Sequence, residues 1–290
     1  AAAVFLLQKF VANRKSYTMS ALNPIEAKKK KGIGNVAAHV VIYLYTLLAL
    51  MPQLYVMYTS FQKTSGRIFV PGYSLDSYRQ AFDNIGDVIT NTFMLAITAI
   101  VIIILLAVLI AYVTVRRRNA LTNTLDTFTM FPYIVPGSIL GIALLVTFND
   151  KPLILSGTAA IMVIAFVIRR LPYTIRSSAA ILHQISGGIE EAAISLGASQ
   201  MKTFFKITLP MMLAGVVSGA ILSWVTIITE LSTSIILYTG GTRTMTVAIY
   251  TEVVRGNYGV AAALSSILTA ITVASLLLFL RMTGKKEFTL

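Results

Sequence analysis

A chain of 290 residues that is 56% hydrophobic and only 12% charged, with a mean hydropathy of +0.79, is too apolar for a water-soluble domain and reads as a membrane protein. The absence of cysteine excludes disulfides, thiolate metal sites and cysteine nucleophiles, and two histidines, His39 and His183, exclude a clustered-histidine metal site. A formal charge of +13 raises nucleic acid as a partner, but the way that charge is spread along the chain reports membrane topology instead.

The chain opens on Ala1 to Leu7, followed by Gln8 and Lys9. This run is too short to cross a hydrocarbon core of about 30 Å, which takes about 20 residues. Its basic residues follow the apolar run, the reverse of a secretory signal. Ala1 to Val11 therefore reads as the inner end of a helix whose beginning is missing, and the chain as a fragment of something longer. Residues 13–35, with Pro24, Gly32, Gly34 and Lys28 to Lys31, form a solvated basic linker.

A first span runs from Val36 to about Phe61 and tolerates Pro52 as a kink. Its Tyr43, Tyr45, Tyr55 and Tyr58 have the oxygen chemistry to ligate a hard metal, but packing and interfacial anchoring fit them better. Gln62 to Asp87 is polar and belongs outside. Asn91 to Val115 is a second span, with the unbroken apolar run Ile100 to Ile110, and Arg116 to Arg118 end it at the inner face. The third span, about Asp126 to Phe148, carries Pro132 and Pro136-Gly137. Two prolines four residues apart remove two backbone donors and break the helix, either as a packing kink or where a cavity is lined. After an outer turn at Asn149 to Pro152, Leu153 to Ile168 returns as a span of marginal length, with Arg169 and Arg170 snorkelling to the inner headgroups. An amphipathic stretch, Thr174 to Ile185, leads on; its His183 is a wet-face residue with no catalytic partner.

Residues 186–210 form a polar elbow between apolar runs. Ile189, Ala192, Ala193 and Leu196 recur at helical spacing, so a short helix from about Ile189 to Leu196 has one apolar stripe. Glu190 and Glu191 fall in its first turn, where carboxylates are favoured, and Gly197 can close it in the left-handed conformation. A second amphipathic helix spans about Ser199 to Thr208, and Pro210 starts the next apolar run. The fifth span is about Leu209 to Ile228, with the single Trp224. Glu230 lies at or just inside its outer end, followed by Ser232 and Thr233; it is either an interfacial residue or an intramembrane functional group. Tyr238 to Asn257 reads as re-entrant or interfacial. The last span, Tyr258 to Leu280, carries Ala262, Ser266, Ala270 and Ala274 four apart as a close-packing face.

Threaded with alternating sides, the inner segments hold Lys9, Arg14, Lys15, Lys28 to Lys31, Arg116 to Arg118, Arg169, Arg170, Arg176, Lys202, Lys206, Arg281, Lys285 and Lys286, which is 18 of the 24 basic residues. The six outer ones are balanced by Asp76, Asp83, Asp87, Asp150, Glu230 and Glu252. This is the positive-inside pattern, with both flanks of a six-span bundle in the cytosol and with anionic membrane lipid as a further partner. Nothing in the chain supplies covalent chemistry: there is no P-loop of the form GxxxxGK[ST] and no paired carboxylates beside a base.

The pattern Glu191-Ala192-Ala193, three residues, Gly197, nine residues, Ile207, one residue, Leu209-Pro210 resembles the EAA loop of ABC importer permeases. Phe131 to Gly141, Arg169 to Tyr173 with Arg176, and Glu230 to Tyr250 are similar to the permeases of binding-protein-dependent iron(III) importers, over essentially all of residues 36–281. In one departure, Gly240-Gly241 stands where many relatives have a proline before the glycine. The resemblance implies an all-α membrane fold, a six-helix type I ABC importer transmembrane domain with a cytosolic coupling-helix elbow. It further implies the C-terminal half of a two-half permease, with residues 1–35 the end of a preceding helix plus linker and 36–290 the transmembrane domain.

As function, the resemblance implies a permease subunit in the bacterial inner membrane, without an ATPase site of its own and without a cofactor. ATP and Mg would reside on partner ABC ATPase subunits. A second permease half and a periplasmic or lipid-anchored solute-binding protein complete the assembly, and no nucleic acid is involved. Glu190, Glu191, Ala192, Ala193 and Gly197 are the expected ATPase-coupling residues; Glu230, Ser232, Thr233, Pro132 and Pro136 are translocation-pathway candidates. Iron(III) is the expected solute, with polyamine, thiamine, phosphonate or another anion as alternatives within the class. Two rivals from other classes are an ion-coupled secondary carrier, which needs intramembrane carboxylates, and a non-transporting membrane scaffold.

Overall fold

The computed structural model describes residues 32–83 and 86–283. The apolar stub, the linker up to Lys31, and Lys285 and Lys286 lie outside them. The chain divides into two compact units, residues 1–58 and 59–290.

The described part of the first unit is helix α1 (Ile33–Ser60), whose last two residues belong to the second. Pro52 lies inside it without ending it. Large apolar side chains such as Val40, Leu47 and Leu54 are exposed along its whole length, as suits a helix whose solvent is hydrocarbon. Tyr43, Tyr45, Tyr55 and Tyr58 are exposed with them, and among the described residues no three His, Asp or Glu side chains stand together as a metal site.

The second unit starts with an antiparallel hairpin, β1 (Gln62–Ser65) and β2 (Ile68–Tyr73), turned at Gly66 with φ +60°. A short helix, α2 (Asp76–Asp83), follows, with Ser74 and Asp76 hydrogen-bonded at its start. Helix α3 (Gly86–Arg116) then runs the length of the bundle. It buries a stripe of mostly small residues, Ala96, Ala99, Ile103, Ala107 and Ala111, all fully enclosed, and turns Leu105, Leu109 and Val101 outward. Small residues inward let backbones approach where no water-driven force separates one apolar face from another.

The expected third span is two helices, α4 (Ala120–Ile134) and α5 (Gly137–Thr147), bent by 108° at Val135-Pro136. Pro136 sits at the break as the residue preceding α5, while Pro132 stays inside the last turn of α4. Asn119 caps α4 reciprocally with Thr122.

The fourth span differs from expectation. Residues 153–158 form a loop, and a single helix, α6 (Ala159–Gln184), continues unbroken through Arg169, Arg170 and Pro172 to the elbow. The three arginines at 169, 170 and 176 made the sequence look like a span followed by a separate amphipathic stretch.

The elbow comprises α7 (Gly187–Ser195) and α8 (Gln200–Thr203), the latter passing through a π-helical turn (Phe204–Thr208) directly into α9 (Leu209–Ile228). No break occurs at Pro210. The Leu209 N–H reaches back five residues to the Phe204 carbonyl, and this wider turn accommodates a ring that cannot donate. Beyond α9, the chain forms α10 (Ser234–Leu237), a 3₁₀ turn (Gly240–Thr242), α11 (Met245–Arg255) and α12 (Tyr258–Thr283). The expected re-entrant stretch is thus α11, an 11-residue helix ended by Gly256 at φ +83°. On α12, Ala262 and Ser266 are buried, whereas Ala270 and Ala274 of the same stripe are exposed.

Among the described residues, α1, α3, Gln200–Ile228 and α12 are long and apolar enough to cross a membrane, and α4 with α5 adds a fifth if the bent pair is one span. In the second unit α3 and α6 pack in parallel: Ala96, Ala99 and Ile103 share one apolar cluster with Ile161, Met162 and Ala165, and Val108 and Ala111 another with Ala179 and Leu182. Helix α9 lies antiparallel to α6 through Gly215 and Gly219, where a Cβ would come within 2.6 Å of the Ser177 carbonyl and the Thr174 Cα. The hairpin, α2, α11 and the first turns of α3 and α12 gather at one end of this unit, and Gly259 lies against Thr64 and Ser77 there. Arg116, Arg117 and the elbow occupy the other end.

Candidate functional site

At the elbow, Ser186 accepts a hydrogen bond from the Gly188 N–H and starts α7 two residues earlier than the apolar spacing predicts. The shift leaves Glu190 in the first turn and moves Glu191 out of it. Glu190 is not a free surface acid. Its side chain is 13% exposed and accepts from Arg116 Nε at 2.8 Å, while the Arg116 Nη2 donates to the Ile185 carbonyl at 3.0 Å. Arg117 donates to the Gln200 side chain at 3.2 Å. These bonds tie the elbow to the end of α3, so the arginines expected merely to stop a span also hold the elbow in place. His183, exposed nearby, has its pKa held below the ordinary histidine value by partial desolvation and by the positive charges of Arg118 and Arg116.

Helix α7 ends as expected at Gly197, φ +87°. The Ala198 N–H bonds to the Ala193 carbonyl and the Gly197 N–H to that of Ile194, so two carbonyls at the helix end are satisfied. A Cβ at Gly197 would meet nothing within 4 Å, so its only cost is conformational. Gly197→Ala is expected to destabilise this turn by about 1 kcal/mol. Hydrogen exchange of the Gly197 and Ala198 amides should then speed up about fivefold; unchanged exchange would contradict the assignment.

The apolar stripe of α7 is not buried. Glu191 and Ala192 are exposed, Ala193 is half-buried, and Ile189, Ile194 and Leu196 face outward, Leu196 at 90% exposure. Met201 and Phe205 extend the same uncovered apolar surface. Helical spacing finds such a stripe but does not say whether it faces the protein or away from it.

The second constellation is internal. Arg169 and Arg170 were expected at the inner headgroups and Glu230 at the outer side; instead they meet. Glu230 is 5% exposed and accepts from Arg169 Nη1 at 2.8 Å and from Arg170 Nη2. Residues paired in this way cannot lie at opposite faces, so the alternating count of charges fails for these three. Arg169 lies ten residues into α6, about 15 Å of helix from its start. Glu230 also accepts from the Thr233 N–H at 3.0 Å, and the Thr233 hydroxyl bridges Arg169 to the Gly137 carbonyl, 3.0 and 3.1 Å away. Breaking such a buried pair costs about 3–5 kcal/mol because the remaining charge is stranded.

Of the five pathway candidates, Glu230 and Thr233 form this cluster and Pro136 lies at its edge beside Gly137. Ser232 is exposed next to it, and Pro132 lies one helical turn before the break. The sequence reading missed Arg169, Arg170 and Gly137. One signal was present: two adjacent arginines between Ile168 and Leu171, and one acid shortly after the apolar run that ends at Ile228, balance best by finding one another.

A multi-span helical bundle with an external elbow and a broken helix beside a buried ion cluster is the architecture of a membrane transport domain. Residues 103–283 match the family described as binding-protein-dependent transport system inner membrane component, and the chain belongs to that family. The members of that family are inner-membrane permease components, without an ATPase site and without a cofactor of their own. Over 189 residues it is 36% identical to the ferric transport system permease protein FbpB of Actinobacillus pleuropneumoniae, covering 65% of this chain and 28% of that protein. The chain thus spans about a quarter of the length of the ferric relatives it matches. A putative 2-aminoethylphosphonate transport system permease, PhnV of Salmonella paratyphi A, is 29% identical over 82% of this chain and 91% of its own. In fold, the chain is similar to a chain of a bacterial alginate ABC transporter solved with an alginate pentasaccharide-bound periplasmic protein, at a TM-score of 0.68 and 17% identity, covering 88% of this chain and 95% of that one.

Proposed function

We propose that this chain is the C-terminal half of a two-half permease that imports iron(III), driven by separate ABC ATPase subunits and supplied by a periplasmic or lipid-anchored binding protein. Six crossings put the elbow and the C-terminus in the cytosol, with α6 as the crossing whose arginines are compensated internally. The transmembrane domain begins at residue 36 in this reading. The match to a ferric permease supports iron(III); the phosphonate permease, matched over nearly its full length, supports a second reading in which the same machine carries a phosphonate.

The observation that carries the proposal is the uncovered apolar surface of α7 and α8, on a helix clamped to α3 by Arg116 and Glu190 and closed by Gly197. A surface built this way transmits force: a partner gripping Leu196, Ile194 and the Glu191-Ala192-Ala193 face moves α3 through the clamp and α9 through the unbroken π-helical turn. When two ATPase subunits close, the elbows of two halves are drawn together and the bundles rock between inward-facing and outward-facing states. Glu230, the intramembrane carboxylate that a secondary carrier would need, is engaged by two arginines.

Leu196→Glu tests the coupling role. Its side chain touches so little of the protein that folding should survive, whereas binding-protein-stimulated ATP hydrolysis by the assembled transporter should fall at least tenfold. Stimulation equal to wild type would remove the elbow from the coupling path.

A further inference from the structure

Three features of the buried cluster bear on what passes it. Arg169 and Arg170 bring two positive charges, and among the described residues Glu230 is the one carboxylate paired with either. One positive charge is left over, and the buried Nε of Arg170 donates to nothing. A second source of positive potential converges from another element. Helix α5 starts at the break with Pro136 before it, and Pro136 offers no side-chain acceptor. The first N–H groups of α5, on Gly137, Ser138 and Ile139, therefore have no partner within the helix, and its positive dipole end points into the break. Gly137 joins the two features: a Cβ there would fall 1.9 Å from Arg169 Nη1. The cluster is also reachable, since Pro136, Ser138 and Ser232 are exposed and Arg169 and Arg170 retain 16% and 13% of their side-chain accessibility.

We propose that this junction is an anion subsite of the translocation path, where Arg169, Arg170 and the open end of α5 receive the oxygens of a tetrahedral oxoanion, a phosphonate, or the oxyanion shell around a ferric ion. The inference rests on the importer reading and narrows its solute to one that travels as an anion. Polyamines and thiamine, which are cations, are repelled by the uncompensated charge; an anion supplies the countercharge that the two arginines lack, and a helix N-terminus binds it through its free N–H groups.

Tungstate, dialysed to equilibrium against the purified full chain in phospholipid-free detergent, probes the subsite without a binding protein. Wild type and Arg170→Lys are expected to bind it, and Arg170→Gln to bind at least tenfold more weakly. Ser138→Glu, an exposed position where a carboxylate would occupy the anion's place, should lose binding as well. No binding by wild type, full binding by both Arg170→Gln and Ser138→Glu, or equal loss in Arg170→Lys and Arg170→Gln would overturn the proposal. In proteoliposomes, ⁵⁵Fe that enters only with an accompanying oxyanion identifies a ferric complex, and oxoanion entry without iron identifies the free anion; entry of labelled spermidine instead overturns it. Binding-protein-stimulated ATP hydrolysis is measured alongside. Stimulation without tungstate binding sinks the anion subsite alone, and tungstate binding without stimulation sinks the importer reading alone.

Discussion

Replacing Glu230 by glutamine is expected to lower the apparent Tm of the purified permease by about 10 °C, the largest effect of any single substitution that leaves side-chain size unchanged. The carboxylate is 3% exposed at the side chain and is the common partner of Arg169 and Arg170. Removing its charge strands two largely buried cations, at a cost of about 3–5 kcal/mol, and in a chain of this size each kcal/mol moves Tm by about 2–4 °C. The physical cause can be separated from a general packing defect by a double substitution. Glu230→Gln with Arg170→Gln leaves one stranded cation where the single change leaves two, so the double variant should be the more stable of the two. If Glu230→Gln melts with wild type, or the double variant melts below it, the cluster is solvated and the account of α6 as a crossing fails.

Gly219→Ala is expected to be the second most damaging change, although it adds one methyl group. At Gly219 a Cβ would lie 2.6 Å from the Thr174 Cα and 2.9 Å from the Ser177 Cβ; at Gly215 it would lie 2.6 Å from the Ser177 carbonyl. Backbone of α6 cannot swing aside as the end of a flexible side chain can, so the helices must part, at a cost of about 1–3 kcal/mol for each site. The damage should reach transport as well as stability. The same interface carries Ser223, which donates to the Arg170 carbonyl at 3.1 Å and bonds the Thr174 hydroxyl at 3.0 Å, so parting α6 from α9 moves Arg170 relative to Glu230. Gly240→Ala is the matched control, since a Cβ there meets nothing within 4 Å and the change should stay within about 0.5 kcal/mol. Equal melting temperatures for Gly219→Ala and Gly240→Ala would refute the close crossing.

The elbow shows how far local pattern carries. Helical spacing around Ala192, the small set of residues that tolerate a positive φ at 197, and the polarity of residues 186–210 between apolar runs predict a helix, its end and its exposure, and the structure has each of them. The same pattern did not reveal that Glu190 is paired, because a carboxylate in a first turn serves a helix dipole equally well whether it faces water or Arg116. It also separated the helix ending near Thr208 from the span beginning near Leu209, whereas a π-helical turn joins them and accommodates the missing N–H of Pro210. The hairpin at Gln62 to Tyr73 escaped notice for a simpler reason: strands of four and six residues are too short for alternation to stand out from a polar loop.

Composition and local order by themselves determined that this is a multi-span helical membrane protein, where most of its apolar spans lie, and which segment projects as the elbow. They could do so because lipid demands about 20 apolar residues per crossing and because a helix end is satisfied within a few residues of itself. Only the tertiary structure decided that Arg169 and Arg170 turn into the helix bundle, that Glu230 belongs to them, and that Gly137, Gly215 and Gly219 are sites of contact rather than of flexibility. Those facts depend on partners 60 residues away for the ion pairs and about 40 for the helix crossing, and neither a charge count along the chain nor the period of a helix records which distant group will neutralise a charge or lie against a missing side chain.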